Sequence, residues 1–328
     1  MPEGASAPHR AVSDAPMTTQ VLCVTPNGSV DLTFRQRLLS PDTIEIDSDL
    51  VAETAGGKGH NVARFLAGAG LKITATGFEG GWVGARMRAL LEEGGVRLSL
   101  SHIDGTNRLF ATVCDVNGAR IHSWHLKGPA VSPTETAALL ANIERARAND
   151  TEWVILSGSL CPGMPDDFYR KAIARLDGIP VVLDASAPAA IHGVQAAPAI
   201  LKVNADELEA IAKSADVATS DYARAAGEIR HRFGIATVVV TEGPLGAFAV
   251  DSSHIFRVGA PVIRVHNTSG AGDAFLAGML QQAIAGGDLA RQLLWGAAWS
   301  GAVCEQSAPT MPALERVEEI AAAIEVKS

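Results

Sequence analysis

Short apolar runs separated by amphipathic segments set the rhythm of this chain. Val21-Leu22-Cys23-Val24 reads as a buried strand, Asn61 to Ala69 as a helix that Gly70 closes, and Leu71 to Thr76 as the next strand. The pattern recurs at Trp153 to Leu156, Val181 to Leu183 and Thr237 to Val240, each run parted from the next by a helix-forming segment. Such alternation predicts an α/β fold, a largely parallel sheet with helices on both faces. Two regions depart from it. Ser29 to Phe34 with Leu50 to Thr54, and Leu109 to Trp124, read as antiparallel strands, the latter folded at Asn117-Gly118, a strong hairpin signal. Near the C-terminus, Leu276 to Ala285 and Leu289 to Val303 read as packed helices.

Residues 1 to 19 are rich in Ala, Pro, Ser and Thr without a hydrophobic period, so a disordered leader is expected, with folding from about Gln20. A start at Met17 is the alternative. With 328 residues and 47% hydrophobic content, the chain can bury a sizeable core as one large domain or two small ones. A net charge of -9 speaks against a general nucleic-acid binder but leaves room for a basic pocket around a small anion. The cysteines Cys23, Cys114, Cys161 and Cys304 lack the spacing of a zinc site or disulfide framework; read as unpaired thiols, they favour a reducing cytoplasm. No apolar run approaches a membrane span, and no basic region precedes an apolar core at the N-terminus. Neither secretion nor membrane attachment is expected.

Candidate chemistry concentrates where strands end. Asn267-Thr268-Ser269-Gly270-Ala271-Gly272-Asp273-Ala274-Phe275 runs small residues into one carboxylate at the start of an apolar helical segment. Unbranched backbone lets N–H groups converge on an anion, and the positive end of the helix adds to the attraction. An ordinary Gly-rich turn capped by Asp is the bland alternative. Lys58, flanked by glycines just before a helix, reads as a second phosphate contact or as a solvated lysine in a turn. No Walker A loop is present, because residue 52 is Ala and His60 follows the Lys-Gly pair. The histidines show no metal-ligand spacing, and Ser157-Gly158-Ser159 lacks the flanks of a nucleophile elbow. Ser157, the loop after Leu201, Thr241 and the Gly-rich turn all follow strand-like runs, so they are expected to converge on one cleft beyond the carboxyl ends of the sheet.

Taken together these segments resemble the ribokinase-like (PfkB) sugar kinases. Asn267 to Phe275 resembles the family's D-T-x-G-A-G-D signature, and Gly56-Gly57-Lys58-Gly59-His60-Asn61-Val62-Ala63-Arg64 resembles G-G-K-G-x-N-V-A of the 1-phosphofructokinase and tagatose-6-phosphate kinase branch. Ser157-Gly158-Ser159-Leu160, Lys202-Val203-Asn204-Ala205-Asp206-Glu207 and Thr241-Glu242-Gly243-Pro244-Leu245-Gly246 follow in the family's order and approximate spacing. The resemblance implies one ribokinase-like kinase domain over 20–328, in which the antiparallel segments near 28–54 and 105–127 form a small lid over the sugar. A homodimer through that lid is a further expectation.

The activity so implied is ATP-dependent, Mg²⁺-assisted phosphorylation of a phosphorylated ketohexose, of the fructose 1-phosphate or tagatose 6-phosphate class, to a bisphosphate. Asp273 would be the base, with the backbone of Gly270, Ala271 and Gly272 stabilising the transferring charge. Asp31, Gly57 and Asn61 would hold the sugar, Asn61 also being placed to cap its helix, and Lys58 and Arg108 would hold the existing phosphate. Arg64, on the helical face of Asn61, is expected to give structural support. Asn204 and Glu207 would organise Mg²⁺ through water, and Thr241, Gly243 and Gly246 would meet the nucleotide. This chain departs from the family pattern at Phe110, where a polar Asn is usual, and at Gly28 and Val203, where Pro is usual. A kinase for an unphosphorylated sugar or nucleoside, and a catalytically weak sensor, are the rival readings.

Overall fold

The computed structural model describes residues 21–40, 43–114 and 120–327. The expected leader and the Asn117-Gly118 turn lie outside them. Strand β1 (Val21–Thr25) leads into two long strands, β2 (Ser29–Ser40) and β3 (Thr43–Gly56), and then helix α1 (Lys58–Gly68). Next come β4 (Ile73–Glu79), α2 (Gly81–Glu93), the short β5 (Arg97–Leu98) and β6 (Ser101–His102), then β7 (Arg108–Cys114) and β8 (Arg120–His125). From α3 (Pro133–Ala146) the predicted alternation is regular: β9 (Trp153–Ser157), α4 (Phe168–Ile173), β10 (Val181–Asp184), α5 (Ala189–Gly193), β11 (Ile200–Asn204), α6 (Ala205–Ser214), α7 (Tyr222–Phe233) and β12 (Thr237–Thr241). Beyond it lie β13 (Ala247–Val250), β14 (Ile255–Val258), α8 (Ala271–Ile284), α9 (Leu289–Cys304), α10 (Leu314–Ala323) and β15 (Val326–Lys327).

These elements build an 11-stranded sheet in the order β15-β14-β13-β12-β11-β10-β9-β1-β4-β5, with β6 also on β4. Strands β12 through β5 in that order run parallel, and β13, β14 and β15 continue antiparallel at one edge. Both faces are covered, which is why the strands read as continuous apolar runs. Val21, Cys23 and Ile155 face a core shared with α1, α8 and α9, whereas Leu22, Val24, Val154 and Leu156 face another shared with α3, α6 and α7. The chain lays β4 on one flank of β1 and β9 on the other, so the strand order reverses there. A crevice opens outside the carboxyl ends at such a reversal, and α1 enters it: a Cβ on Gly59 would lie 2.4 Å from Thr25 Oγ1 and 3.5 Å from Ser157 Cβ.

A 4-stranded sheet, β3-β2-β7-β8, stands apart from the first. It consists of two antiparallel ribbons, β2/β3 and β7/β8, joined through a parallel β2–β7 pair. Alternation sorts its residues: Val30 and Leu109 pack on the core, while Ser29, Asp31, Arg108 and Phe110 face a cavity.

Helix α1 begins three residues before the expected Asn61, because Gly57 takes a φ of 101° and turns the chain into it as N-cap. Helix α8 likewise begins earlier than expected, directly on the Gly-rich turn. The four cysteines are free and buried. Among the described residues, no helix is long and apolar enough to cross a membrane.

Candidate functional site

The turn before α8 is held by its own polar groups. Asn267 Oδ1 accepts from the Ser269 N–H at 2.9 Å, and Asn267 Nδ2 donates to Ser307 O at 3.0 Å. Gly270 then adopts a left-handed φ of 76° as the N-cap; a Cβ there would come 2.7 Å from Pro309 Cβ, and one on Gly272 would come 3.0 Å from Lys202 Nζ. Glycine is therefore required at Gly270, and Gly272 leaves room for the Lys202 ammonium. No side chain caps α8; Ala271 N–H donates to Thr268 O at 3.3 Å, and the N–H groups of Gly272 and Asp273 remain for an anion.

Asp273 occupies that first turn, buried, with Oδ2 accepting from Asn61 Nδ2 at 2.7 Å. Burial and the charge of Asp184 push its carboxyl up to about 6, against the pull of Lys202, Lys58 and the Asn61 amide. It is ionised at neutral pH yet holds a proton more tightly than an exposed aspartate, as a general base working near pH 7 should.

Behind it lies a buried charge cluster built from strand ends. Asp184 closes β10 with no exposure and receives Lys58 Nζ at 2.9 Å and Lys202 Nζ at 3.2 Å. Burial alone would raise the Asp184 carboxyl, but Lys202 and Lys58 hold it below the usual carboxylate range. Lys58 Nζ also meets Glu207 Oε1 at 3.0 Å. Burial disfavours the Lys58 ammonium, yet Asp184 and Glu207 outweigh that and keep it charged. Asn204 and Glu207 form a capping box at the start of α6, in which Glu207 N–H donates to Asn204 Oδ1 at 2.8 Å and Asn204 N–H donates to Glu207 Oε2 at 3.0 Å.

At the lid end, the Asp31 carboxylate accepts from Ser29 Oγ at 2.5 Å, and a Cβ on Gly56 would overlap it at 2.0 Å. Burial raises the Asp31 carboxyl, opposed by Ser29, Arg108 and Arg64. Arg108 Nε donates to Asn27 O at 3.2 Å. Phe110 is paired between Asp31 on β2 and His125 on β8, and its ring lies 4.3 Å from the His125 ring. These groups line one end of a cavity of about 900 Å³. The same cavity is also walled by Ala260, Pro261, Val262, Ile263, Ala297 and Gly301, an apolar set suited to a flat heterocycle. Gly270 to Asp273 lie on the same wall system as Lys58 and Lys202.

Asp31, Gly57, Lys58, Asn61, Arg108, Asn204, Thr241, Gly243, Gly246, Gly270, Ala271, Gly272 and Asp273 all line this cavity, and Glu207 stands just outside its wall. The Lys58 ammonium is held by Asp184 and Glu207, whereas Arg108 donates to Asn27. One expectation changes. Asn61 does not cap α1, since Gly57 does, and its amide turns to Asp273. Gly246 also meets a packing need, as a Cβ there would lie 2.0 Å from Val258 O. Thr241 Oγ1 donates to Val203 O at 3.4 Å. The residues that sequence reasoning passed over are Asp184, Lys202 and Ser29. Asp184 and Lys202 were visible as charges inside or ending apolar strands, where a charge is kept only with a partner.

Residues 28–316 match the family described as pfkB family carbohydrate kinase. The chain belongs to the pfkB family. It is thus an ATP-dependent sugar kinase. A 1-phosphofructokinase from Rhodobacter capsulatus is 30% identical over 317 residues, covering 95% of this chain and 99% of that protein. Among solved structures, phosphofructokinase-2 from Escherichia coli in complex with substrates and products superposes with a TM-score of 0.84 at 24% identity, covering 93% of this chain and 99% of that one. Ribokinase from Thermotoga maritima superposes with a TM-score of 0.73 at 17% identity, covering 92% and 99%. Those two likenesses establish the ribokinase-like fold.

Proposed function

We propose that this pfkB kinase phosphorylates the free primary hydroxyl of a phosphorylated ketohexose, of the fructose 1-phosphate or tagatose 6-phosphate class, giving a bisphosphate. The observation that carries this reading is the separation of positive charge within one cavity. Lys58 and Lys202 gather beside Asp273 and the N-terminus of α8, while Arg108 lies on β7 beside Asp31, and Arg64 acts on both carboxylates. One cationic group of sites serves the phosphoryl group in transit; the other serves an acceptor that is already anionic. The 1-phosphofructokinase relative supports the same acceptor class.

In this mechanism the Arg108 guanidinium binds the existing phosphate, and Asp31 and Asn61 orient the sugar hydroxyls. The reacting hydroxyl then faces Asp273, which takes its proton as the oxygen attacks the γ-phosphorus of ATP and the bond to the bridging oxygen breaks, releasing ADP. N–H groups of Gly270, Gly272 and Asp273, with the Lys58 and Lys202 ammoniums, stabilise the charge spread over the phosphoryl oxygens. Lys58 is thereby reassigned from the resident phosphate to the transferring one. The apolar set takes the adenine, with Thr241, Gly243 and Gly246 in the same cavity. Asn204 and Glu207 offer oxygen donors suited to Mg²⁺, which keeps most of its waters and is held through them. When bound, that ion neutralises the nucleotide oxygens. The lid carries exposed Trp124 and Leu126 and supports pairing with a second copy of the chain.

An acceptor panel with ATP and Mg²⁺, its products identified by mass, tests the reading. Fructose 1-phosphate, tagatose 6-phosphate, fructose 6-phosphate, fructose and nucleosides would be compared. A bisphosphate product from a ketohexose phosphate is expected. Preferred turnover of an unphosphorylated acceptor, or binding with no product from any acceptor, overturns it. Light scattering coupled to gel filtration tests the pairing, and a monomer at micromolar concentration would reject it.

A further inference from the structure

Arg64 is a cation where cations are rarely left unmatched. It lies on α1, half-buried with its Nε shut off from solvent, and among the described residues no carboxylate forms an ion pair with it. Its Nη2 instead donates to two neutral oxygens, Asn61 Oδ1 at 2.8 Å and Pro309 O at 2.9 Å, and its Nε has no partner. Burying a guanidinium on those terms costs stability. A purely structural role is poorly served by it.

What Arg64 does hold is the orientation of an amide. An arginine can only donate, so Asn61 must present its carbonyl oxygen to Arg64 and hence its NH₂ to Asp273 Oδ2, 2.7 Å away. We propose that Arg64 is a positioning residue for phosphoryl transfer, acting through Asn61 to hold the Asp273 carboxylate in place for the acceptor hydroxyl. The same guanidinium ties Asn61 to Pro309, whose ring packs against Gly270 of the anion loop, so base and loop share one anchor.

Loss of Arg64 frees the Asn61 amide to turn over. Its oxygen would then face Asp273, an arrangement stable only when Asp273 carries the proton. Arg64 also adds a positive charge near both Asp31 and Asp273. The other groups facing Asp273 are Lys58 on α1, Asp184 on β10 and Lys202 on β11; none of them contacts the Asn61 oxygen. Both effects of removing Arg64 therefore act in one direction, making Asp273 harder to ionise.

The test is the pH profile of kcat/KM for fructose 1-phosphate, with ATP and Mg²⁺, in wild type, Arg64→Met and Arg64→Lys. Sugar phosphates also titrate near pH 6, so the displacement between variants is read, and the absolute limb is not. The acidic limb of Arg64→Met is expected roughly one unit above wild type, about a fivefold loss at pH 6, with the KM for ATP within about twofold. Arg64→Lys keeps the charge without the planar fork and falls between them. In an Asn61→Ala background, Arg64→Lys, which keeps the charge, should move the limb no further, while Arg64→Met keeps only the smaller shift of its lost charge. An unmoved limb in folded Arg64→Met, or an Arg64→Lys shift that persists in Asn61→Ala, overturns the proposal. If Arg64→Met is not recovered folded, Arg64→Lys decides by the same two criteria. The inference rests on Asp273 as base. That reading fails separately, if Asp273→Asn retains turnover; an inactive Asp273→Asn beside an unmoved Arg64→Met limb rejects only the role of Arg64.

Discussion

Asp273 shows at the scale of one residue how catalysis and stability pull apart. Its carboxyl is raised to about 6 first by burial and then by Asp184. Its proton affinity is therefore higher folded than unfolded, and the folded protein binds the extra proton between about pH 4 and pH 6. Stability contributed by the protonated form is lost as pH rises through that window, and above it the buried carboxylate costs on the order of 2 kcal/mol. Asp273→Asn removes this cost and keeps an oxygen for Asn61. The variant should be the more stable at pH 8 by urea titration, with the difference shrinking toward pH 4, while turnover falls roughly 10²–10⁴-fold. Near-normal turnover would sink the base assignment; equal stability at pH 8 would sink the account of its environment. The carboxylate and its glycines were legible from the local sequence alone, because unbranched backbone at a helix start has few other uses. Its raised proton affinity was not, since Asp184 lies on another strand.

Among the elements, α6 carries two roles in one motif. Asn204 and Glu207 satisfy each other's N–H groups at its N-terminus, and Glu207 also holds the Lys58 ammonium. Asn204→Ala should lower stability by about 1 kcal/mol, seen as a shifted urea midpoint at unchanged slope. Asn204→Ser retains a capping oxygen and should restore that midpoint. A turnover loss that remains in Asn204→Ser belongs to magnesium and nucleotide, and full recovery of turnover would leave the residue only its cap. The strands and helices of the α/β core followed from the apolar runs, since strands buried on both faces leave little freedom of pattern. Boundaries moved where backbone conformation decided them: Gly57 starts α1 early, and Gly270 starts α8 on the turn itself.

The whole molecule places two positive regions on different elements of one cleft, and kinetics should separate them. Arg108→Ala should raise the KM for fructose 1-phosphate roughly 10–100-fold, the loss of a charge-assisted hydrogen bond, with kcat little changed. Lys58→Ala should instead lower kcat roughly 10²–10³-fold, as removal of preorganised charge at the transferring group does. Steady-state kinetics on both variants checks the division; a KM effect alone in Lys58→Ala would return it to the resident phosphate. The sequence by itself determined the α/β class, the antiparallel strands, the Gly-rich turn before α8 and the family, because each depends on residues close together in the chain or on motifs in a fixed order. Tertiary structure alone decided the partners of Lys58, the turning of Asn61 toward Asp273, and the placing of Arg64 behind it. Those follow from which strand ends converge where the order reverses beside β1, and the energy of a charge depends on its neighbours in space.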